Sequence, residues 1–173
     1  GRHIVFSAVA LRGYRRALQE NSLEDRGYYP KVSVLIAAHN EGVVIEDAVR
    51  TMVEQDYPNF EVVVIDDGST DDTFARARRF EGSHGRCTLR VYRKPNGGKW
   101  SAHNFAFHRS TGEFIALVDA DSLLEKEALR RLVRRACESG ATAVSGQVRV
   151  RNRVNLLTRL QSPEYAIANG LTR

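Results

Sequence analysis

Four stretches of this chain end an apolar run with groups able to bind a ligand or do chemistry. Ala37-Ala38-His39-Asn40-Glu41 closes the first, Asp66-Asp67-Gly68-Ser69-Thr70-Asp71-Asp72 the second, Asn96-Gly97-Gly98-Lys99 the third and Asp119-Ala120-Asp121 the fourth. On an extended chain, residues i and i+2 point to the same side. Asp119 and Asp121 can therefore face one hard divalent cation, leaving its other positions to water and phosphate oxygens. Such a cation would neutralise the charge of a departing diphosphate. Taken alone, the triplet reads more simply as polar residues at a strand-to-helix turn. Its place directly after Phe114-Ile115-Ala116-Leu117-Val118, beside three other polar strand ends, favours metal.

Adjacent carboxylates such as Asp66 and Asp67 cost free energy unless a donor or cation is near. A fixed carboxylate is also a good acceptor for an N–H on a nucleotide base, and Asp67 is expected to face such a ligand. Ser69, Thr70, Asp71 and Asp72 suit turn and capping chemistry, with Thr70 or Asp71 as an N-cap. Lys99 follows two glycines at a helix start, where backbone N–H groups and an ammonium suit a phosphate. The bland alternative is a solvated lysine. A P-loop is excluded, because Arg93 and Trp100 stand where Gly and Ser or Thr are needed. His39 suits either stacking on a base or a structural role, and Glu41 can accept from a ribose or base. Trp100, His103 and His108 read as packing or surface residues.

These groups need a scaffold, and the apolar periodicity supplies one. Residues 32–38 form a continuous apolar run, the mark of a buried strand. Ile45, Ala48, Val49, Met52 and Val53 recur on one helical face, and Tyr57-Pro58-Asn59 is a turn. The cycle repeats with a strand over 60–65, a helix over about 72–80 and a strand over 87–92. A helix from Gly97-Gly98 to about Arg109 and a strand over 114–118 follow. Ser122 and Glu125 have capping-box spacing ahead of a helix with Leu129, Leu132, Val133 and Ala136 on one face. A fifth strand is expected over 143–150 and a final helix over 155–168. Alternation of this kind predicts an α/β fold, a mostly parallel sheet between helical layers, with ligands at the carboxyl ends of the strands. Ahead of it, residues 3–20 carry Leu11, Tyr14, Arg15 and Leu18 at helical spacing. The chain thus divides into a basic helix and linker over 1–29 and the α/β unit over 30–173.

The 173 residues suit a single domain, and 42% hydrophobic with 27% charged residues is an ordinary globular balance. No run approaches a membrane span, and the start lacks the apolar core of a secretory signal. Gly1 in place of Met suggests an excised piece. The charge of +5 sits in clusters: Arg76, Arg78 and Arg79; Arg130, Arg131, Arg134 and Arg135; Arg149, Arg151 and Arg153. Such runs read first as solvated helix faces, with an anionic membrane surface or a phosphorylated ligand as alternatives. Nucleic acid is disfavoured, since no aromatic-interleaved basic motif or zinc spacing accompanies the charge. Cys87 and Cys137 read as small core hydrophobes in a reducing compartment, not as zinc ligands.

Taken together, Val32–Glu41, Val62–Thr73, Pro95–Asn104 and Phe114–Ser122 resemble, in order and spacing, the family 2 inverting glycosyltransferases. That family includes hyaluronan, chitin, cellulose and poly-N-acetylglucosamine synthases. Residues 146–150 and 160–165 look most like the processive, membrane-embedded members, especially the poly-N-acetylglucosamine type. The resemblance implies a Rossmann-like GT-A donor-binding fold over 30–173. It places Ala37, His39 and Glu41 around uridine, Asp67 on the uracil, Lys99 near the phosphates and Asp119 facing the nucleotide. Asp121 would bind Mg2+ or Mn2+. His39 stands where the family often has Tyr. The implied donor is a UDP-sugar, foremost UDP-N-acetylglucosamine, and the acceptor a carbohydrate. The family's general base is the Asp of a Thr-Glu-Asp motif downstream of the metal motif. Nothing after Asp121 matches it, and Glu24-Asp25 and Glu46-Asp47 come too early. The Q-x-x-R-W motif and membrane helices of processive members are missing too. The expectation is an N-terminal part ending before the base, binding donor with little sugar transfer, from a parent at the cytoplasmic face of the cell membrane. Other readings are a sugar-phosphate nucleotidyltransferase, whose basic Gly-rich loop is not seen, a phospho-acceptor receiver domain, or a non-catalytic interaction module.

Overall fold

The computed structural model describes residues 6–11, the first of these stretches by its backbone alone, together with 29–139 and 142–146. In chain order the elements are β1 (Phe6–Leu11), β2 (Val32–Ala38), α1 (Ile45–Val53), β3 (Phe60–Asp67) and α2 (Thr73–Arg78). They continue with β4 (Gly82–His84), β5 (Cys87–Lys94), α3 (Lys99–Phe107), β6 (Phe114–Asp119) and α4 (Ala128–Ser139). One six-stranded sheet has the order β1-β6-β2-β3-β5-β4. The four inner strands β6, β2, β3 and β5 are parallel, and β1 and β4 are antiparallel edges.

Parallel strands covered on both faces read as near-continuous apolar runs; β2 and β3 are buried at nearly every residue, with Ser33, Glu61, Asp66 and Asp67 as their polar exceptions. Even-numbered β2 and β3 residues such as Val34, Ile36, Val62 and Val64 share a cluster with Ile45, Ala48, Val49 and Met52 of α1 and Leu129 and Val133 of α4. Odd-numbered Leu35, Val63 and Ile65 meet Ala102 and Ala106 of α3 on the other face. The molecule is therefore three-layered, with α1, α2 and α4 on one side and α3 on the other. The chain lays down β2, β3 and β5 in one direction, then crosses by α3 to place β6 on the far side of β2. The strand order reverses between β2 and β6, the position where open α/β sheets bind ligands.

A second polar cluster ties the amino-terminal end of the sheet together. Glu61, 4% exposed, accepts from Ser33 Oγ at 2.6 Å, Thr111 N–H at 2.7 Å and Arg90 Nη2 at 2.6 Å. Gly112 N–H donates in turn to Ser33 Oγ at 2.8 Å. Burial pushes the Glu61 carboxyl up, but these donors and Lys31 outweigh it and hold it below the usual range. Gln55 links α1 to α4 by donating to the Thr51 and Glu125 carbonyls and accepting from Leu129 N–H.

Several expectations are corrected. Phe6–Leu11 is a strand, not part of a helix: it pairs with Phe114–Val118 and satisfies backbone groups along the outer edge of β6. The helical spacing from Leu11 to Leu18 falls mostly on 12–28, outside the described residues. Ser122 and Glu125 do not cap α4, which starts at Ala128; Ser122 N–H instead bonds the Asp119 carbonyl at 3.0 Å in a turn. Residues 143–146 carry no strand, and 147–150 and 155–168 lie outside the described residues. The short β4 had no sequence signal: three residues, the first a glycine, are too few for a period.

The described arginine clusters are largely ion-paired at the surface. Arg76 meets Asp72 at 2.7 Å, Arg79 meets Glu46 at 3.1 Å, and Arg131 meets Glu127 at 2.8 Å, pairs worth little individually. Cys87 and Cys137 are free thiols, and burial raises the Cys87 thiol to about 12. Among the described residues no helix is long and apolar enough to cross a membrane.

Two stability predictions follow. A Cβ at Gly112 would lie 2.6 Å from both the backbone N and the Oγ of Ser33. Gly112→Ala is expected to lower stability by about 1–3 kcal/mol in urea denaturation. Because the folded-state Glu61 carboxyl is depressed, its contribution is present above the ordinary Glu range and lost as pH falls through the folded value. The stability gap between wild type and Glu61→Gln should therefore narrow as pH falls from about 7 to about 3. A gap independent of pH would contradict the role.

Candidate functional site

Strand parity decides which polar groups meet. In register, Ala37 lies beside Ile65 and Asp119, Asp66 beside Arg93, and Asp67 beside Lys94. Side chains alternate between faces, so Ala37, Asp67, Lys94 and Asp119 fall on the α3 face at the carboxyl edge. Asp66 and Arg93 fall on the opposite face, where Arg93 Nε meets Asp66 Oδ2 at 3.1 Å. The two adjacent aspartates thus diverge, and only Asp67 reaches the site. Asp66 is fully buried, and its Oδ1 meets no hydrogen-bond donor among the described residues.

The seven residues singled out from the sequence, Ala37, His39, Glu41, Asp67, Lys99, Asp119 and Asp121, line one cleft of about 350 Å³. Ala38, Asn96, Gly98 and Ala120 complete its wall.

Asp67 is 3% exposed. Lys94 Nζ donates to its Oδ1 at 2.5 Å, and Gly97 N–H lies 3.1 and 3.2 Å from its two oxygens. Burial pushes its carboxyl up; the Lys94 ammonium and the Gly97 and Gly98 amides more than offset this, so the group stays ionised below the usual range. The loop carrying these amides comes close because position 68 lacks a side chain. Gly68 has φ +71°, and a Cβ there would sit 2.7 Å from Asn96 N.

His39 bridges the first and third rim segments. Its Nδ1 lies 3.0 Å from the Asp67 carbonyl oxygen, Asn40 Nδ2 lies 3.3 Å from its Nε2, and Asn96 Nδ2 lies 3.4 Å from its Nε2. A carbonyl partner requires Nδ1 to carry the proton, which leaves Nε2 to accept from Asn40. The ring is therefore held by structural bonds while one face lines the cleft.

At the metal-motif end, Lys99 Nζ donates to Asp119 Oδ1 at 2.5 Å. Among the described residues no three His, Cys, Asp or Glu side chains converge to hold a metal by themselves. The field there is nonetheless acidic: burial first, then the Asp121, Asp71 and Asp119 carboxylates, raise the Glu41 carboxyl above its usual range. These carboxylates are hard oxygen donors, the type that Mg2+ or Mn2+ takes, but among the described residues they do not close a site around one.

The β2–α1 and β3–α2 loops are stapled together. Asn40, at φ +56°, donates its N–H to Ser69 Oγ at 3.0 Å and accepts Thr70 N–H at Oδ1 at 2.9 Å. Glu41 N–H reaches Thr73 Oγ1 at 2.8 Å, and Gly42 N–H reaches Asp71 Oδ2 at 3.0 Å. The cap position of α2 is Asp72, which makes no side-chain cap bond. Asp71 takes Thr73 N–H at 3.0 Å, so it serves both its own turn and the neighbouring loop. This cross-loop role had no local signal, since the partners lie about thirty residues apart. Lys94 was also missed, a lysine ending a strand being unremarkable in sequence, and Asn96 was placed on the rim without a role of its own. His103, read as packing or surface, is 6% exposed with Nδ1 unpartnered among the described residues. Burial first, then Lys99, lowers its pKa. Trp100 is 77% exposed.

The chain's likenesses agree with this geometry. A probable glycosyltransferase, YdaM, of Bacillus subtilis is 40% identical over 136 residues, covering 75% of this chain and 32% of that protein. Poly-beta-1,6-N-acetyl-D-glucosamine synthase of Staphylococcus epidermidis is 28% identical over 140 residues, 80% of this chain and 34% of that protein. The chain thus spans about a third of the length of these relatives. Among solved structures, the mannosyltransferase PcManGT of Pyrobaculum calidifontis with GDP-Man and Mn2+ superposes with TM-score 0.59 and 33% identity over 71% of this chain and 38% of that one. S. aureus TarS 1-349 with UDP-GlcNAc gives TM-score 0.56 and 32% identity over 62% of this chain and 31% of that one. The fold is thereby a GT-A one. Residues 33–172 match the family described as Glycosyl transferase family 2, and the chain belongs to that family.

Proposed function

We propose that the cleft binds the nucleoside diphosphate of a sugar donor, foremost UDP-N-acetylglucosamine, together with Mg2+ or Mn2+, for inverting transfer to a carbohydrate. The observation that carries this reading is the convergence of Asp67, Lys99, Asp119 and Asp121 in one cleft at the carboxyl edge of the sheet. Asp67, kept ionised, accepts the N–H of the uracil imide. Ala37 leaves room for the base, and His39 and Glu41 border the ribose. Lys99, exposed on its ion pair with Asp119, is free to turn its ammonium to the diphosphate beside the amides that open α3. Asp121 would hold the cation, which when bound offsets the negative charge of the diphosphate leaving group. Asp119 faces the nucleotide from the same strand end.

The likenesses support the details. TarS is described in complex with UDP-GlcNAc and PcManGT with GDP-Man and Mn2+. Poly-beta-1,6-N-acetyl-D-glucosamine synthase makes a polysaccharide from the same sugar, which supports a growing polysaccharide as acceptor. Association with the cytoplasmic face of a membrane belongs to the same reading and rests on the likeness to processive synthases. No Thr-Glu-Asp triplet occurs in the 173 residues, so donor binding, with little turnover, is the activity these residues support.

Calorimetric titration of UDP is expected to give tighter binding in Mn2+ than in chelator. Asp121→Ala should remove that gain, about tenfold or more, while leaving the affinity in chelator unchanged. Asp67→Ala should weaken UDP about tenfold or more in both conditions and spare pyrophosphate. No UDP binding in either condition would overturn the reading. Tighter binding of GDP than UDP would redirect it to a guanosine diphosphate sugar, as in PcManGT.

A further inference from the structure

We infer that Lys94 is a positioning residue for base recognition: from behind the cleft wall, it holds the Asp67 carboxylate in place to read the N–H edge of the donor's nucleobase. The inference rests on the reading of Asp67 as the base acceptor. Lys94 does not line the cleft. Its side chain is 13% exposed, and its ammonium is fixed by two acceptors, Asp67 Oδ1 at 2.5 Å and the Pro95 carbonyl at 2.7 Å. An ammonium held this way cannot serve a ligand phosphate without abandoning Asp67. Lys99, 55% exposed, lines the cleft and is the cation open to a ligand there.

The glycine loop is shaped around this ammonium. A Cβ at Gly97 would lie 2.9 Å from Lys94 Nζ and 2.7 Å from Ser101 Oγ. The bare backbone at position 97 thus admits the ammonium and lets its own N–H reach both Asp67 oxygens. A carboxylate accepts at about four lone-pair positions. Lys94 and Gly97 claim some of them, leaving the remainder for the ligand.

The adjacent ladder partner marks the difference in roles. Arg93 also faces an aspartate across the strands, but on the opposite face, with its guanidinium 5.5 Å from the Phe74 ring centre. That pair closes the α2 side of the sheet, whereas Lys94–Asp67 looks into the site. Without Lys94, the nearly buried Asp67 loses its counter-charge. It then takes up a proton, and its preference for an N–H edge, as in uracil, over a bare ring nitrogen, as in cytosine, declines, because a protonated carboxyl can itself donate.

The test uses the 173-residue chain in Mn2+ with UDP, CDP and pyrophosphate as probes. Lys94→Met is expected to weaken UDP about tenfold, to leave pyrophosphate unchanged, and to shrink the UDP-to-CDP affinity ratio. Lys94→Arg should recover part of that ratio. In an Asp67→Asn background, Lys94→Met should cost nothing further. The pyrophosphate titration also reports that each variant is folded. Equal weakening of UDP and pyrophosphate, additive losses in the double variant, or an unchanged UDP-to-CDP ratio would overturn the role of Lys94 alone. Wild-type chain that binds pyrophosphate as tightly as UDP would instead overturn the base-binding reading beneath it.

Discussion

A carboxylate nearly out of contact with water keeps its charge only if something in the protein meets it, and Asp67 is met on three sides. The Lys94 ammonium and the Gly97 and Gly98 amides together outweigh the cost of burial. That balance sets where the neighbouring pieces must lie. The loop after β5 has to cross Asp67 closely enough to donate, which requires glycine at positions 68 and 97. The same loop then delivers Lys99 at the start of α3, within reach of Asp119. A single desolvated charge thereby fixes the path of the segment that completes the cleft.

The fold supplies the other half of the arrangement. Reversal of strand order between β2 and β6 leaves a gap at the carboxyl edge, and α3 covers only the face from which Asp67 and Asp119 project. The opposite end of the same face is closed by the Glu61 cluster, in which every donor is matched to one buried carboxylate. The sheet thus carries two buried acids on one side, one serving stability and one serving recognition. Their difference lies in what surrounds them: Glu61 is enclosed by side chains and turns, whereas Asp67 opens onto a cleft.

Much of this was legible because the inner strands are buried on both faces. Largely apolar runs at 32–38, 60–65 and 114–118 mark strands, and the i, i+3, i+4 pattern from Ile45 to Val53 marks a helix. Alternation along an extended chain also implies that adjacent Asp66 and Asp67 turn to opposite faces of the sheet. What escaped notice depends on partners far apart in sequence. Lys94 gains its role only from Asp67, twenty-seven residues earlier, and Asn40 gains its role from Ser69 and Thr70. Phe6–Leu11 becomes a strand only because β6 offers an open edge. The Ser122–Glu125 spacing misled because a motif that fits a helix start also fits the turns preceding one.

The strict two-residue alternation that divides Asp66 from Asp67 has a consequence for how this chain can diverge. A one-residue deletion between Val62 and Asp67 would exchange the faces of everything beyond it. The carboxylate now turned to the cleft would then point into the α2 layer beside Arg93, and Lys94 would lose its partner. A change of length should therefore be tolerated more readily in the segments that connect the strands than within β3.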